Sequence, residues 1–108
     1  MIMQTPALQS LEGHEVTQAT KVHDYVQIAF GADVGLSIYN DITLEPEADI
    51  AALVGRRFES ANQSDRYIDL LFSGGVILHI DLHPQASYGP EVLELNRKGF
   101  PSVVWSSS

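Results

Sequence analysis

Laid on itself with an offset of 42 residues, the chain repeats its own landmarks. Leu8 falls on Ile50, Leu11 on Leu53, Gly13 on Gly55, Val16 on Phe58 and Ala19 on Ala61. Tyr25 then meets Tyr67, Val26 meets Ile68, Ile28 meets Leu70 and Phe30 meets Phe72, followed by Val34 on Val76, Leu36 on Leu78 and Ile38 on Ile80. No gap interrupts more than thirty positions. Shared periodicity alone would match apolar with apolar, but would not keep the glycine, alanine, tyrosine and phenylalanine landmarks in place. The pattern predicts an internal duplication, with units over residues 8–41 and 50–83 and a C-terminal β extension over 91–105. A chain of 108 residues suits one domain with its own core.

Within each unit the hydrophobic period is two, which marks strands with one buried face. Val26, Ile28 and Phe30 share a side, as do Val34, Leu36 and Ile38; the second copy repeats this with Ile68, Leu70 and Phe72, then Val76, Leu78, Ile80 and Leu82. If Phe72 faces Val76, the loop is Ser73-Gly74-Gly75, whose last residue needs the left-handed conformation that Gly75 adopts freely. The first copy predicts Gly31-Ala32-Asp33, with Asp33 at the less comfortable position. Glu15–Thr20, Arg57–Gln63, Glu91–Asn96 and Ser102–Trp105 read as further strands. Short helical pieces are expected over Pro6–Leu11 and Pro46–Leu53, the latter with Pro46 in its first turn and Gly55 beyond its end. The fold class expected is mainly β, about eight strands in a duplicated antiparallel meander, closing as a sandwich, a curved sheet or a partly open barrel. The chain ends, up to Gln4 and over the terminal serines, are expected to be mobile.

Fourteen acidic against six basic residues give a net charge of −8. A general nucleic-acid binder needs a basic stripe, and Arg56–Arg57 and Arg97–Lys98 are too short to form one. No cysteine is present, so disulfide and thiolate-metal chemistry are out. No apolar stretch approaches the length of a membrane helix, and the first ten residues lack the basic start and apolar run of a signal peptide. The reading is cytoplasmic, without nucleic acid, membrane or cofactor.

Chemistry-bearing residues gather most densely in His79-Ile80-Asp81-Leu82-His83. Alternation puts His79, Asp81 and His83 on one strand face, and imidazole with carboxylate can hold zinc or iron. Ligands strung along one strand converge poorly on one ion, however. The hairpin register offers cross-strand pairs instead, Asp69 opposite His79 and Tyr67 opposite Asp81. His14 and His23, the latter beside Asp24, form a weaker cluster that the second copy lacks. No Ser–His–acid spacing proposes a nucleophile, and Ser73-Gly74-Gly75 lies between strands rather than at a phosphate-binding helix start. Asp41, Glu45, Glu47 and Asp49 make an acidic patch at the junction of the units, where they solvate a loop or receive a basic partner.

The faces turned away from the core are less polar than solvent requires. Tyr25 opposes Tyr39 and Leu71 opposes Ile77, so these four residues are expected to meet the rest of the chain, a second copy in a homodimer, or a protein partner. The Leu-x-Gly opening and the Tyr-(Val/Ile)-x-(Ile/Leu)-x-Phe-x-x-x-Val-x-Leu hairpin, over residues 8–95, resemble a group of small uncharacterised bacterial proteins. The acidic-Ala-Trp ending usual in that group is replaced here by Glu91-Val92-Leu93. The resemblance implies a non-enzymatic interaction protein, encoded on a mobile cassette or acting as an immunity-like factor, with no catalytic residue to carry over. On this reading Tyr25, Tyr39, Leu71, Ile77, Asp41, Glu45 and Glu47 form the contact surface. The alternative is a small-molecule or metal-binding module using the sheet surface and His79, Asp81 and His83.

Overall fold

The computed structural model describes residues 5–23, 25–83 and 91–106; Asp24 and, of the chain ends expected to be mobile, residues 1–4 and 107–108 lie outside them, whereas Ser106 is the last residue of a strand. In chain order the elements are a single helical turn α1 (Thr5–Gln9), then β1 (Gln18–Val22), β2 (Tyr25–Ala29), β3 (Val34–Ile38) and β4 (Ile42–Glu45). A short 3-10 turn (Ile50–Leu53) opens the second half, followed by β5 (Phe58–Gln63), β6 (Tyr67–Phe72), β7 (Val76–Asp81), β8 (Glu91–Arg97) and β9 (Val103–Ser106). They form two antiparallel sheets, one ordered β1-β2-β3-β8-β9 and the other β4-β7-β6-β5, with no closed barrel.

Sheet order shows an exchange between the halves. β1, β2 and β3 form a meander, and so do β5, β6 and β7, and with the offset of 42 the counterpart strands coincide to within two residues at their ends. The fourth strand of each half then leaves its own meander. β4 pairs with β7 and β8 pairs with β3, so each half completes the other half's sheet. Because Ile80 faces Ile42 and Ile38 faces Leu93, Ile42 and Leu93 occupy equivalent seats, as do Leu44 and Leu95.

Reciprocal hydrogen bonds tie the two halves together. Gly13 N–H donates to Phe58 O and Gly55 N–H to Val16 O, both at 2.8 Å; Val16 N–H donates to Arg56 O and Phe58 N–H to His14 O, at 2.8 and 2.9 Å. Each pair maps onto the other when the offset is applied, and between them lies the single bridge Glu15–Arg57, which maps onto itself. The crossovers match too: Tyr39 N–H donates to Val92 O, and Asp81 N–H to Asp41 O.

One buried cluster fills the space between the sheets, with Leu70, Leu78, Ile80, Ile38, Phe58 and Leu93 fully withdrawn from solvent. Phe58 stands edge-on to both Phe30 and Phe72, at centroid distances of 6.3 and 5.7 Å. Aromatic edges meeting faces add to the area they bury. Trp105 closes the far end of the five-stranded sheet opposite Leu93 and is itself buried.

Several local expectations change. Residues 42–45, read as part of an acidic junction, form β4, a ninth strand, because Ile42 and Leu44 alternate inward with Thr43 and Glu45 outward. The helix expected from Pro46 shortens to the 3-10 turn; Asp49 precedes it in extended conformation and makes no side-chain cap. In the second hairpin Phe72 faces Val76, and both Gly74 and Gly75 have positive φ. In the first hairpin Phe30 N–H donates to Val34 O across the three-residue loop, but Gly31 rather than Asp33 takes the positive φ. Glycine has no Cβ to clash there, so the strain falls where it costs least.

Among the described residues, no helix is long and apolar enough to cross a membrane.

Candidate functional site

The four-stranded sheet turns one face to the core and the other outward, and alternation decides which side chains share the outer one. Thr43 and Glu45 come from β4, Ile77, His79 and Asp81 from β7, and Tyr67, Asp69 and Leu71 from β6. Register then sets the neighbours: Tyr67 faces Asp81, Asp69 faces His79 and Leu71 faces Ile77, while Thr43 faces His79 on the other flank.

His79 is the centre of this face. Its Nδ1 lies 2.6 Å from Asp69 Oδ1 and its Nε2 3.0 Å from Glu45 Oε1, so carboxylates engage both ring nitrogens. Only the imidazolium can donate from both nitrogens at once. Burial of the ring opposes that charged form, but the hydrogen bonds and charges of Asp69 and Glu45 outweigh it and hold the group above the ordinary imidazole value. The Tyr67 ring meets the imidazole edge-on at 5.7 Å, and the Arg66 guanidinium lies 5.6 Å from the Tyr67 ring centre. Glu45 remains largely in solvent, its side chain 70% exposed.

The arrangement says what His79 can and cannot do. A metal ion at this ring would have to displace Asp69 or Glu45, because neither nitrogen offers a lone pair while both donate. Asp81 Oδ1 accepts a hydrogen bond from the backbone N–H of His83 at 2.8 Å, and His83 itself is exposed beyond the strand. Among the described residues, no group of three histidine, cysteine or acidic side chains is disposed to hold a metal ion.

The seven contact residues read from the sequence fall on two faces and a connection. Leu71 and Ile77, directly opposed and half-buried, sit beside Asp69 and Glu45 on the outer face of the four-stranded sheet. Tyr25 and Tyr39 belong to the other sheet, with tilted rings 5.6 Å apart. Tyr39 donates its hydroxyl to Glu94 at 3.0 Å, and burial together with that carboxylate raises its pKa. Beside them Gly35, Ala29 and Ser37 leave a shallow hollow of about 210 Å³, edged by Gln18, Gln27 and Asn96. Asp41 lies in the crossover, and Glu47 is exposed just after β4.

A second concavity, about 410 Å³ and polar, opens beside that crossover between Lys21, Tyr25, Asn40, Thr43 and Asp81. Asn40 is buried and donates through Nδ2 to Asp81 O at 2.8 Å, pinning the crossover to the end of β7. Its Oδ1 is buried without a hydrogen-bond partner.

Sequence reasoning missed the link between Glu45 and His79, because that link needs β4 beside β7. The alternation of Ile42-Thr43-Leu44-Glu45 was the available signal. Compared with protein-family models, curated proteins and solved structures, the chain matches none.

Proposed function

We propose that the chain is a duplicated unit working as a non-enzymatic protein-interaction module, whose contact surface is the outer face of the four-stranded sheet. The observation that carries this reading is the apolar Leu71–Ile77 pair set beside Glu45, Asp69 and Asp81 on one face. Protein interfaces place an apolar centre within a polar rim, and charge complementarity sets the encounter rate and the choice of partner. With a net charge of −8, the matching surface is basic. A homodimer through this face would set these acids against their own copies, so a basic protein fits better than a second copy. An inhibitor or immunity-like factor in a bacterial cytoplasm, covering a basic functional surface of its target, is the form of this reading that suits the resemblance.

Affinity capture with the wild-type chain and with Leu71→Lys tests it. The wild type is expected to retain a basic protein that salt releases, and the variant to lose it. Equal capture by both chains overturns the choice of face. Light scattering of the free chain is expected to give the mass of one copy, 11.9 kDa. A stable dimer split by Leu71→Lys would make the second copy the partner instead.

A further inference from the structure

We propose that the open edge of β4 is a strand-docking site for an extended, basic segment of the partner; this deepens the reading above and rests on it. Edge strands carry unpaired backbone groups and are shielded where pairing is unwanted. Two edges here are shielded in equivalent ways. α1 packs against β5, where Gln9 Oε1 accepts the Ala61 N–H at 2.6 Å beside a bulge, and the 3-10 turn packs against β1. At the other ends the sheets differ by one strand, the five-stranded sheet ending in β9 and the four-stranded sheet in β4. In the five-stranded sheet β8 is covered by β9, with Leu93 facing Trp105, Glu94 facing Val104 and Leu95 facing Val103. Its counterpart β4 ends the four-stranded sheet, and among the described residues no strand takes the place beside it.

The covered edge shows what the open one accepts. Ile42, Thr43 and Leu44 stand where Leu93, Glu94 and Leu95 stand in the other half. An incoming strand therefore sets apolar side chains opposite Ile42 and Leu44, continuing the core as Trp105 and Val103 do. The residue opposite Thr43 points to the outer face, next to Glu45 and His79. Lysine or arginine there reaches the exposed Glu45 carboxylate. Backbone pairing supplies affinity in such strand addition, and alternate side chains supply specificity. A second copy of β4 is the wrong occupant, since it would bring Asp41, Glu45 and Glu47 against the same acids.

The probe is a synthetic peptide, acetyl-Lys-Val-Lys-Trp-Lys-amide, added to the full ¹⁵N-labelled chain. Saturable shifts and slowed amide exchange are expected at Ile42–Glu45. Binding should vanish when alternate peptide nitrogens are methylated, and should weaken roughly three- to tenfold against Glu45→Lys. The methylated peptide leaves the protein untouched, so its result does not depend on a variant folding. Shifts confined to Val103–Ser106, shifts on the Leu71–Ile77 face with the methylated peptide bound equally well, or no shifts at millimolar peptide would each overturn the edge assignment. None of these outcomes alters the Leu71→Lys capture experiment, so the two readings fail separately.

Discussion

At His79 the environment selects a charge state, and that choice links folding to pH. The folded chain holds the imidazolium through Asp69 and Glu45 more strongly than burial disfavours it, so the group titrates above its ordinary value of 6.5. A group with a raised folded-state pKa contributes fully to stability below its unfolded value and loses that contribution as pH rises through the folded one. The urea-unfolding stability of the wild type relative to His79→Gln should therefore be largest below about pH 6.5 and shrink as pH rises above it. A difference that stays flat or grows would mean the ion pairs do not persist in solution. In the core, Phe58 touches both halves through its edge-on contacts with Phe30 and Phe72. Phe58→Ala should cost about 3–5 kcal/mol in chemical denaturation, since truncating a fully buried aromatic loses its transfer energy and leaves a cavity.

At the scale of elements, the two glycines of the second hairpin differ in what surrounds them. Both have positive φ, but a Cβ on Gly74 would collide with the Arg56 guanidinium, whereas Gly75 faces open space. Gly75→Ala should cost about 1–2 kcal/mol from the left-handed backbone alone, and Gly74→Ala more. In a double-mutant cycle Arg56→Ala should remove the excess, although it also gives up hydrogen bonds to Ala52 O and Ser73 O. Gln9→Ala should cost about 1 kcal/mol by leaving the Ala61 N–H without its acceptor, read again by denaturation. The hairpins were legible because alternation and turn residues agree locally: the Tyr67–Asp81, Asp69–His79 and Leu71–Ile77 pairs follow from Phe72 facing Val76. Asp33 was misjudged because Gly31, two residues earlier in the same loop, absorbs the positive φ. β4 was overlooked because its four residues are short and flanked by Asp41 and Glu47, so charge masked a clear alternation. The partners that hold it lie more than thirty positions along the chain, and local patterning does not encode that distance.

Over the whole molecule, the 42-residue offset reappears as reciprocal contacts, and it explains the candidate face. Without the exchange, β4 would lie next to β3, and Glu45 would never meet His79. The C-terminal strand β9 breaks the equivalence by covering β8, while among the described residues no strand pairs with the matching edge of β4. The proposed contact surface lies where the halves differ: the histidine between two carboxylates has Ser37 as its counterpart, and among the described residues β4 lacks the added strand that β9 gives to β8. The exchange itself is tested most directly by cross-strand nuclear Overhauser effects in the folded chain. Backbone contacts are expected between Thr43 and His79 and between Ser37 and Glu94. Contacts placing Ile42–Glu45 alongside Val34–Ile38 as a simple hairpin would contradict it.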